Sequence, residues 1–151
     1  MDVTFTKPQD IDGWLRLAAE VEPLFGPMVD VPEFRDGLIQ AMQENRALGV
    51  NADGRLAGGA IIDIAANEIL WLVVSAAARG QGIGRFLIGE AIRLLDADRP
   101  MLVQTYDSSV EAGAAARILY LEFGFRDIKN AGLNPAGLPT VIMQRPAAGI
   151  L

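Results

Sequence analysis

Apolar residues recur along this chain with two periods, and the switches between them mark its elements. Asp2–Lys7 alternates Val3 and Phe5 with polar neighbours, the two-residue period of a half-buried strand. After Pro8-Gln9-Asp10 the spacing changes, and Ile11, Trp14, Leu15, Ala18 and Val21 fall on one face of a helix. Pro23, Gly26 and Pro27 are expected to break that helix into a loop. Val31, Phe34, Leu38, Ala41 and Met42 predict a second helix starting near Pro32. Two strands follow, Ala47–Asn51 and Arg55–Ile64, around the hairpin signal Asp53-Gly54. A short turn at Ala66-Asn67 leads into Glu68–Ser75. Its run Ile69-Leu70-Trp71-Leu72-Val73-Val74 is apolar throughout, as in a strand covered on both faces.

The second half alternates helix and strand. Gly82–Asp96 reads as a helix with Ile83, Phe86, Leu87, Ala91, Ile92 and Leu95 turned inward, ended by Arg99-Pro100. Met101–Tyr106 is a strand, and Ala112–Phe123 a helix stopped at Gly124. Phe125–Lys129 is read as a strand, Ala131–Pro139 as a loop and Thr140–Gln144 as a last strand. Hairpin neighbours combined with strand–helix crossovers predict an α/β (α+β) fold, a mixed sheet with helices on its faces. With no repeat and no linker, residues 1–151 are expected to form one domain.

Composition changes this picture mainly by exclusion. Half of the chain is apolar, enough for one sizeable core. No uncharged apolar stretch approaches the roughly 18 residues of a membrane span. Met1–Lys7 lacks the basic start and apolar run of a signal peptide, and there is no Cys, so a cytoplasmic location is expected. The chain has no His, which removes Ser-His-Asp and Cys-His catalysis. Zinc sites of His and Cys go with them, and no metal is expected. Proton transfer at neutral pH is left to Asp, Glu, Tyr, Lys, a terminus or water. A net charge of −6 argues against non-specific nucleic-acid binding and tolerates a cationic substrate.

Candidate chemistry concentrates in Leu72–Arg85, where a buried strand enters a glycine-rich turn that opens a helix. Glycines let backbone approach a ligand closely, and successive N–H groups at a helix start make a concave donor set for phosphate oxygens. Arg79 and Arg85 add positive charge. The chain has no Gly-Lys-Ser/Thr of a Walker loop, and a dinucleotide fingerprint begun at Gly82 fails at Leu87. Arg79-Gly80-Gln81-Gly82-Ile83-Gly84 does read Arg-x-x-Gly-x-Gly. That segment resembles the acyl-CoA pyrophosphate loop of the GNAT superfamily of N-acyltransferases. Leu119-Tyr120-Leu121-Glu122-Phe123-Gly124-Phe125, about 35 residues on, is similar to that family's Leu-Tyr-x-x-x-Gly-Phe segment. The likeness is strongest from Glu68 to Phe125. Before about residue 45 it is architectural only.

The resemblance implies a mostly antiparallel mixed sheet of six or seven strands, about four helices and a splayed central strand pair. It implies acetyl-CoA as co-substrate, an amine-bearing acceptor and direct transfer in a ternary complex, and it leaves room for a homodimer. Cofactor contacts would come from Leu72, Val73, Val74, Arg79, Gly80, Gln81, Gly82, Ile83, Gly84 and Arg85. The backbone at Leu72 and Val74 would pair with pantetheine, and the Val74 N–H would polarise the carbonyl. Glu68 aligns with the base glutamate of the histone-acetylating branch, and residues 68, 70, 72 and 74 are expected to share one strand face. The alternative for Glu68 is a solvated glutamate ending a hairpin turn, with Asp63, Glu20 and Glu22 as lesser bases. Tyr120 would be general acid to the departing thiolate, or else a half-buried aromatic, with Tyr106 in reserve. Many members carry an Asn seven residues before the Tyr, and Gly113 stands there here. Acidic residues between Glu20 and Asp36 either favour a cationic acceptor or form a solvated surface. Phe25 could line an apolar pocket, while the helical spacing of Trp14 and Phe34 points to core. Two rival readings remain: an acyltransferase with a longer acyl donor, and a module that senses acyl-CoA without turnover.

Overall fold

The computed structural model describes residues 1–149; the last two residues of the expected 1–151 domain lie outside the described residues. The strands are β1 (Val3–Phe5), β2 (Ala47–Ala52), β3 (Arg55–Asp63), β4 (Glu68–Val74), β5 (Met101–Tyr106), β6 (Arg126–Leu133) and β7 (Pro139–Arg145). The helices are α1 (Ile11–Phe25), α2 (Pro32–Gln43), α3 (Ile83–Leu94) and α4 (Ala114–Glu122). All seven strands form one sheet in the order β1-β2-β3-β4-β5-β7-β6. Only β4 and β5 run parallel; every other neighbouring pair is antiparallel. This is the mixed, mostly antiparallel sheet with four helices that was expected. None of those helices is long and apolar enough to cross a membrane.

Two cores cover the two faces. On one, Ile83, Leu87 and Ile88 of α3 and Tyr120 of α4 pack against Ile62, Ile69 and Val103. On the other, Trp14 and Leu17 of α1 and Leu38 and Met42 of α2 pack against Ile61 and Val73, with Trp71 half-buried beside them. Burial of large apolar side chains at about 25 cal/mol per Å² is the main term holding these layers together.

Helix α1 does not stop at Pro23. It runs on to Phe25 and ends at Gly26, whose φ of +100° no longer suits a helix. Proline removes one N–H and so frees the carbonyl of Ala19, but Ala19 and Pro23 both lie on the exposed side of α1. Solvent can serve that carbonyl while Val21 and Phe25 stay docked. The C-terminal strands also differ from expectation. β6 extends to Leu133, beyond the expected Lys129, and only 134–138 forms a turn. It is an edge strand exposed along nearly its whole length, with two register shifts, so its sequence carries no alternation to read.

Strand β4 carries the feature that shapes the centre of the sheet. From Gly58↔Val74 to Ile61↔Trp71 it pairs with β3 residue for residue, but the next pair is Ile62↔Ile69. β4 therefore spends one extra residue between Ile69 and Trp71, a β-bulge. Ile69 consequently joins Leu72 and Val74 on the α3 face, while Trp71 and Val73 turn to the α1–α2 face. Residues 68, 70, 72 and 74 do not share one face. Glu68, adjacent to Ile69 in unbroken strand, turns toward the side of Trp71.

Candidate active site

Strands β4 and β5 are joined at one end and separated at the other. Their ladder holds only Glu68↔Leu102 and Ile69↔Val103. Asn67, fully buried, locks the joined end. Its Nδ2 donates to the carbonyls of Asp96 (2.9 Å), Arg99 (3.3 Å) and Pro100 (3.0 Å), and its Oδ1 accepts from the Asp96 N–H at 2.8 Å. Beyond Ile69 the β4 edge facing β5 has no ladder partner, so 70–74 presents backbone donors and acceptors to the gap. The gap is a cleft of about 700 Å³.

The cleft runs from the start of α3 to the end of α1. Leu72, Val73, Val74, Arg79, Gly80, Gly82, Ile83, Gly84, Arg85 and Tyr120 all line it. Gln81 faces a small neighbouring pocket instead, and Glu68 lies outside the lining, at the joined end of β4 and β5.

At the α3 end, Gly80 and Gly82 have φ of +81° and +82°, a region that favours glycine. Gly82 is the N-cap of α3 and brings no side chain to it. The first-turn N–H groups are therefore uncapped and point outward at the positive end of the helix dipole. Arg79 is exposed, and Arg85 is paired with Glu122. Glu20 of α1 buttresses this end, accepting from Ser75 Oγ at 3.0 Å and from the Ala76 N–H at 3.0 Å. The donor set fits a pyrophosphate, and the unpaired β4 edge fits an extended amide-bearing chain laid beside it.

Along one wall of the cleft, Tyr120 is 3% exposed and meets Phe125 edge-on, with ring centroids 5.6 Å apart. Burial raises its phenol well above the ordinary value, so it stays protonated. Tyr106 is engaged elsewhere. Its hydroxyl donates to the Leu24 carbonyl at 2.6 Å, and burial pushes its pKa up to about 12 against a lowering contact with Asn134. Gly113 is explained by the same ring: a Cβ there would sit 2.6 Å from Tyr106 Cβ and Cδ2. Backbone without a side chain is what lets Tyr106 lie against that helix start.

The acidic candidates separate by what they hold. Glu22 accepts from the N–H groups of Met28 (2.7 Å) and Val29 (3.2 Å) and shapes the α1–α2 loop. Asp63 caps the β3–β4 turn through the Ala66 N–H at 3.0 Å. None of Glu20, Glu22, Asp30, Glu33 and Asp36 lines the cleft. The Glu68 carboxyl is raised above its usual pKa, first by desolvation and then by the nearby Asp63 charge. Among the described residues no group of three His, Cys, Asp or Glu side chains could hold a metal.

Residues 24–146 match the family model described as "Acetyltransferase (GNAT) domain". The chain belongs to the GNAT acetyltransferase family. Solved acetyltransferase structures superpose along nearly the whole length. Ribosomal-protein-alanine N-acetyltransferase from Brucella melitensis has 20% identity and a TM-score of 0.72, covering 97% of this chain and 99% of that one. PaiA N-acetyltransferase from Thermoplasma acidophilum, in complex with coenzyme A, has 18% identity and a TM-score of 0.69, covering 96% and 98%. The yncA protein of Salmonella typhimurium, with its cofactor acetyl-CoA, has 16% identity and a TM-score of 0.71, covering 100% and 96%. At these identities the likeness speaks to the GNAT fold alone. No curated protein matches by sequence.

Two features of the site leave little trace in the sequence. The Asn67 clamp left no signal beyond a turn-forming Asn. The aromatic wall at the far end of the cleft was visible only in part, through Phe25. Trp71 joins it because it shares a strand face with Val73, two residues on in unbroken strand.

Proposed function

We propose that this GNAT domain, residues 1–151, is a cytoplasmic N-acetyltransferase that passes an acetyl group from acetyl-CoA to a primary amine by direct attack in a ternary complex. The observation that carries this is one continuous cleft joining the uncapped start of α3, the free edge of β4 and Tyr120. The amides of Gly82–Arg85, with the Arg79 and Arg85 side chains, hold the pyrophosphate. The 70–74 edge holds the pantetheine arm, and the Val74 N–H polarises the thioester carbonyl. Two acetyltransferases of the same fold, one solved with its cofactor acetyl-CoA and the other in complex with coenzyme A, support this donor.

The amine lone pair attacks the thioester carbon, the C–S bond breaks, and the nitrogen's proton is exchanged for one on sulfur. Glu68 takes the nitrogen's proton through water, since it lies on the Trp71 side of β4 but outside the cleft lining. A raised pKa makes its carboxylate a stronger base than an ordinary glutamate. Tyr120 stabilises the departing sulfur. Because its phenol holds its proton tightly, it acts as a hydrogen-bond donor to the developing thiolate rather than surrendering the proton early.

Free-thiol release from acetyl-CoA, with and without a panel of primary amines, tests the proposal. Amine-dependent release is expected. The absence of any carboxylate from the cleft lining among the described residues favours one other reading, an acyl-CoA sensor. It predicts acetyl-CoA binding with no release from any amine, and release only from longer acyl-CoAs would instead identify a different donor.

A further inference from the structure

The end of the cleft away from α3 is built of rings. Phe25 lies 5.6 Å from Tyr106 and 6.2 Å from Trp71, centroid to centroid, with Val21 and Leu24 beside them. Most of its polar side-chain atoms are already engaged, Gln104 Oε1 and Thr105 Oγ1 being left without a protein partner among the described residues. Tyr106 Oη and Asn134 Nδ2 both donate to the Leu24 carbonyl, at 2.6 and 2.8 Å. Asn134 Oδ1 accepts from the N–H groups of Ala136 and Leu138, each at 3.0 Å. Thr140 Oγ1 accepts from Gln104 at 3.0 Å and donates to the Gly132 carbonyl at 2.9 Å. Trp71 Nε1 is fully buried and without a partner among the described residues.

Leu24 is the knot of this end. Helix α1 stops at Gly26, and the Met28 N–H goes to Glu22, so the Leu24 carbonyl is left to receive β5 and the 134–138 turn. These bonds fasten three elements around the rings, so the pocket is formed before any ligand arrives. Among the described residues, the only charged ones that line the cleft are Arg79 and Arg85, at the opposite end. An alkylammonium entering here would lose its hydration with no carboxylate to replace it. A flat ring bearing a weakly basic nitrogen would lose little, and it would lie against the rings of Phe25, Trp71 and Tyr106.

We infer that the acceptor is an aromatic primary amine that binds uncharged among Phe25, Trp71 and Tyr106. This rests on reading the cleft as that of an acetyl-CoA-dependent amine acyltransferase. The step balances as before: the arylamine nitrogen bonds to the acetyl carbon, the C–S bond breaks, and one proton passes from nitrogen through solvent to CoA sulfur. No ammonium need be deprotonated before attack, so Glu68 is asked only to receive the proton as the amide forms.

The test compares thiol release from acetyl-CoA with 4-methylaniline and 2-naphthylamine against putrescine, spermidine and n-hexylamine, alongside the thermal shift given by acetyl-CoA alone. The arylamines are expected to show at least tenfold higher kcat/KM at pH 7, with rates flat from pH 7 to 9. Phe25→Ala should raise KM for arylamines at least tenfold while the acetyl-CoA shift is unchanged, and Phe25→Tyr should restore it. Faster turnover of the aliphatic amines, or a Phe25→Ala variant with unaltered arylamine KM, overturns this inference and leaves the donor reading intact. No thermal shift with acetyl-CoA overturns the reading of the cleft itself.

Discussion

The Tyr120 ring is buried against Phe125, yet it lines the cleft, and its hydroxyl is bonded to no protein group among the described residues. Removing that hydroxyl therefore leaves the packing in place. Tyr120→Phe should change stability by less than about 1 kcal/mol, since no protein hydrogen bond is lost. A hydrogen bond to a charged partner contributes about 1.5–3 kcal/mol, so kcat should fall roughly 10- to 100-fold with acetyl-CoA affinity unchanged. Steady-state kinetics beside a melting curve checks this, and full activity would return Tyr120 to the core alone. Glu68 makes a prediction of opposite character. Its pKa is raised in the folded state, so its proton is held more tightly there and its ionised form opposes folding above that pKa. Glu68→Gln should raise Tm at pH 7, and the gain should vanish below the unfolded pKa of about 4.3. The same variant should lose roughly 10²–10⁴ in rate if Glu68 is the base, and it should flatten the acid limb of the pH–rate profile. A Tm gain with no loss of rate would make Glu68 a strained turn residue only.

At the scale of elements, the cleft exists because β4 and β5 are tied at one end and free at the other. Asn67 does the tying, with four hydrogen bonds from a fully buried side chain to the α3–β5 connection. Asn67→Ala should cost about 2–3 kcal/mol, because it removes four hydrogen bonds made by a buried side chain. In a domain of this size that is a fall in Tm of roughly 5–10 °C, read by calorimetry. A neutral outcome would mean that the strand pair holds itself. Neither this clamp nor the bulge could be read from the sequence. The run from Ile69 to Val74 is apolar at every position, so the extra residue disturbs no visible alternation. Asn67 looks like any turn residue, since its partners are backbone carbonyls that carry no sequence identity. By contrast, the glycine-rich turn and the helix after it were legible, because φ values of +81° and +82° demand glycine. Pro23 misled for a physical reason: proline breaks a helix unless the orphaned carbonyl is exposed, and exposure is decided by the fold.

For the whole molecule, the order of strand and helix periods implied a mixed sheet, and the sheet formed. Tertiary context had to decide which end of the splayed pair would be open. The chain carries a net charge of −6, yet the α3 end of the cleft presents Arg79 and Arg85. Donor affinity should therefore fall with salt, as exposed charges are screened beyond about 10 Å at 0.1 M. The most direct test of the account is a thermal-shift titration with acetyl-CoA, taking CoA as the comparison ligand and Gly82→Val as the control. Both ligands share the pyrophosphate and pantetheine contacts, so each should stabilise the protein. Saturation to a hundred times Kd should add about 2.7 kcal/mol, a rise of roughly 5–10 °C. Gly82→Val, which forces a side chain onto a φ of +82° at the start of α3, should remain folded by far-UV dichroism and lose the shift. No shift in the parent protein at millimolar acetyl-CoA would contradict the account.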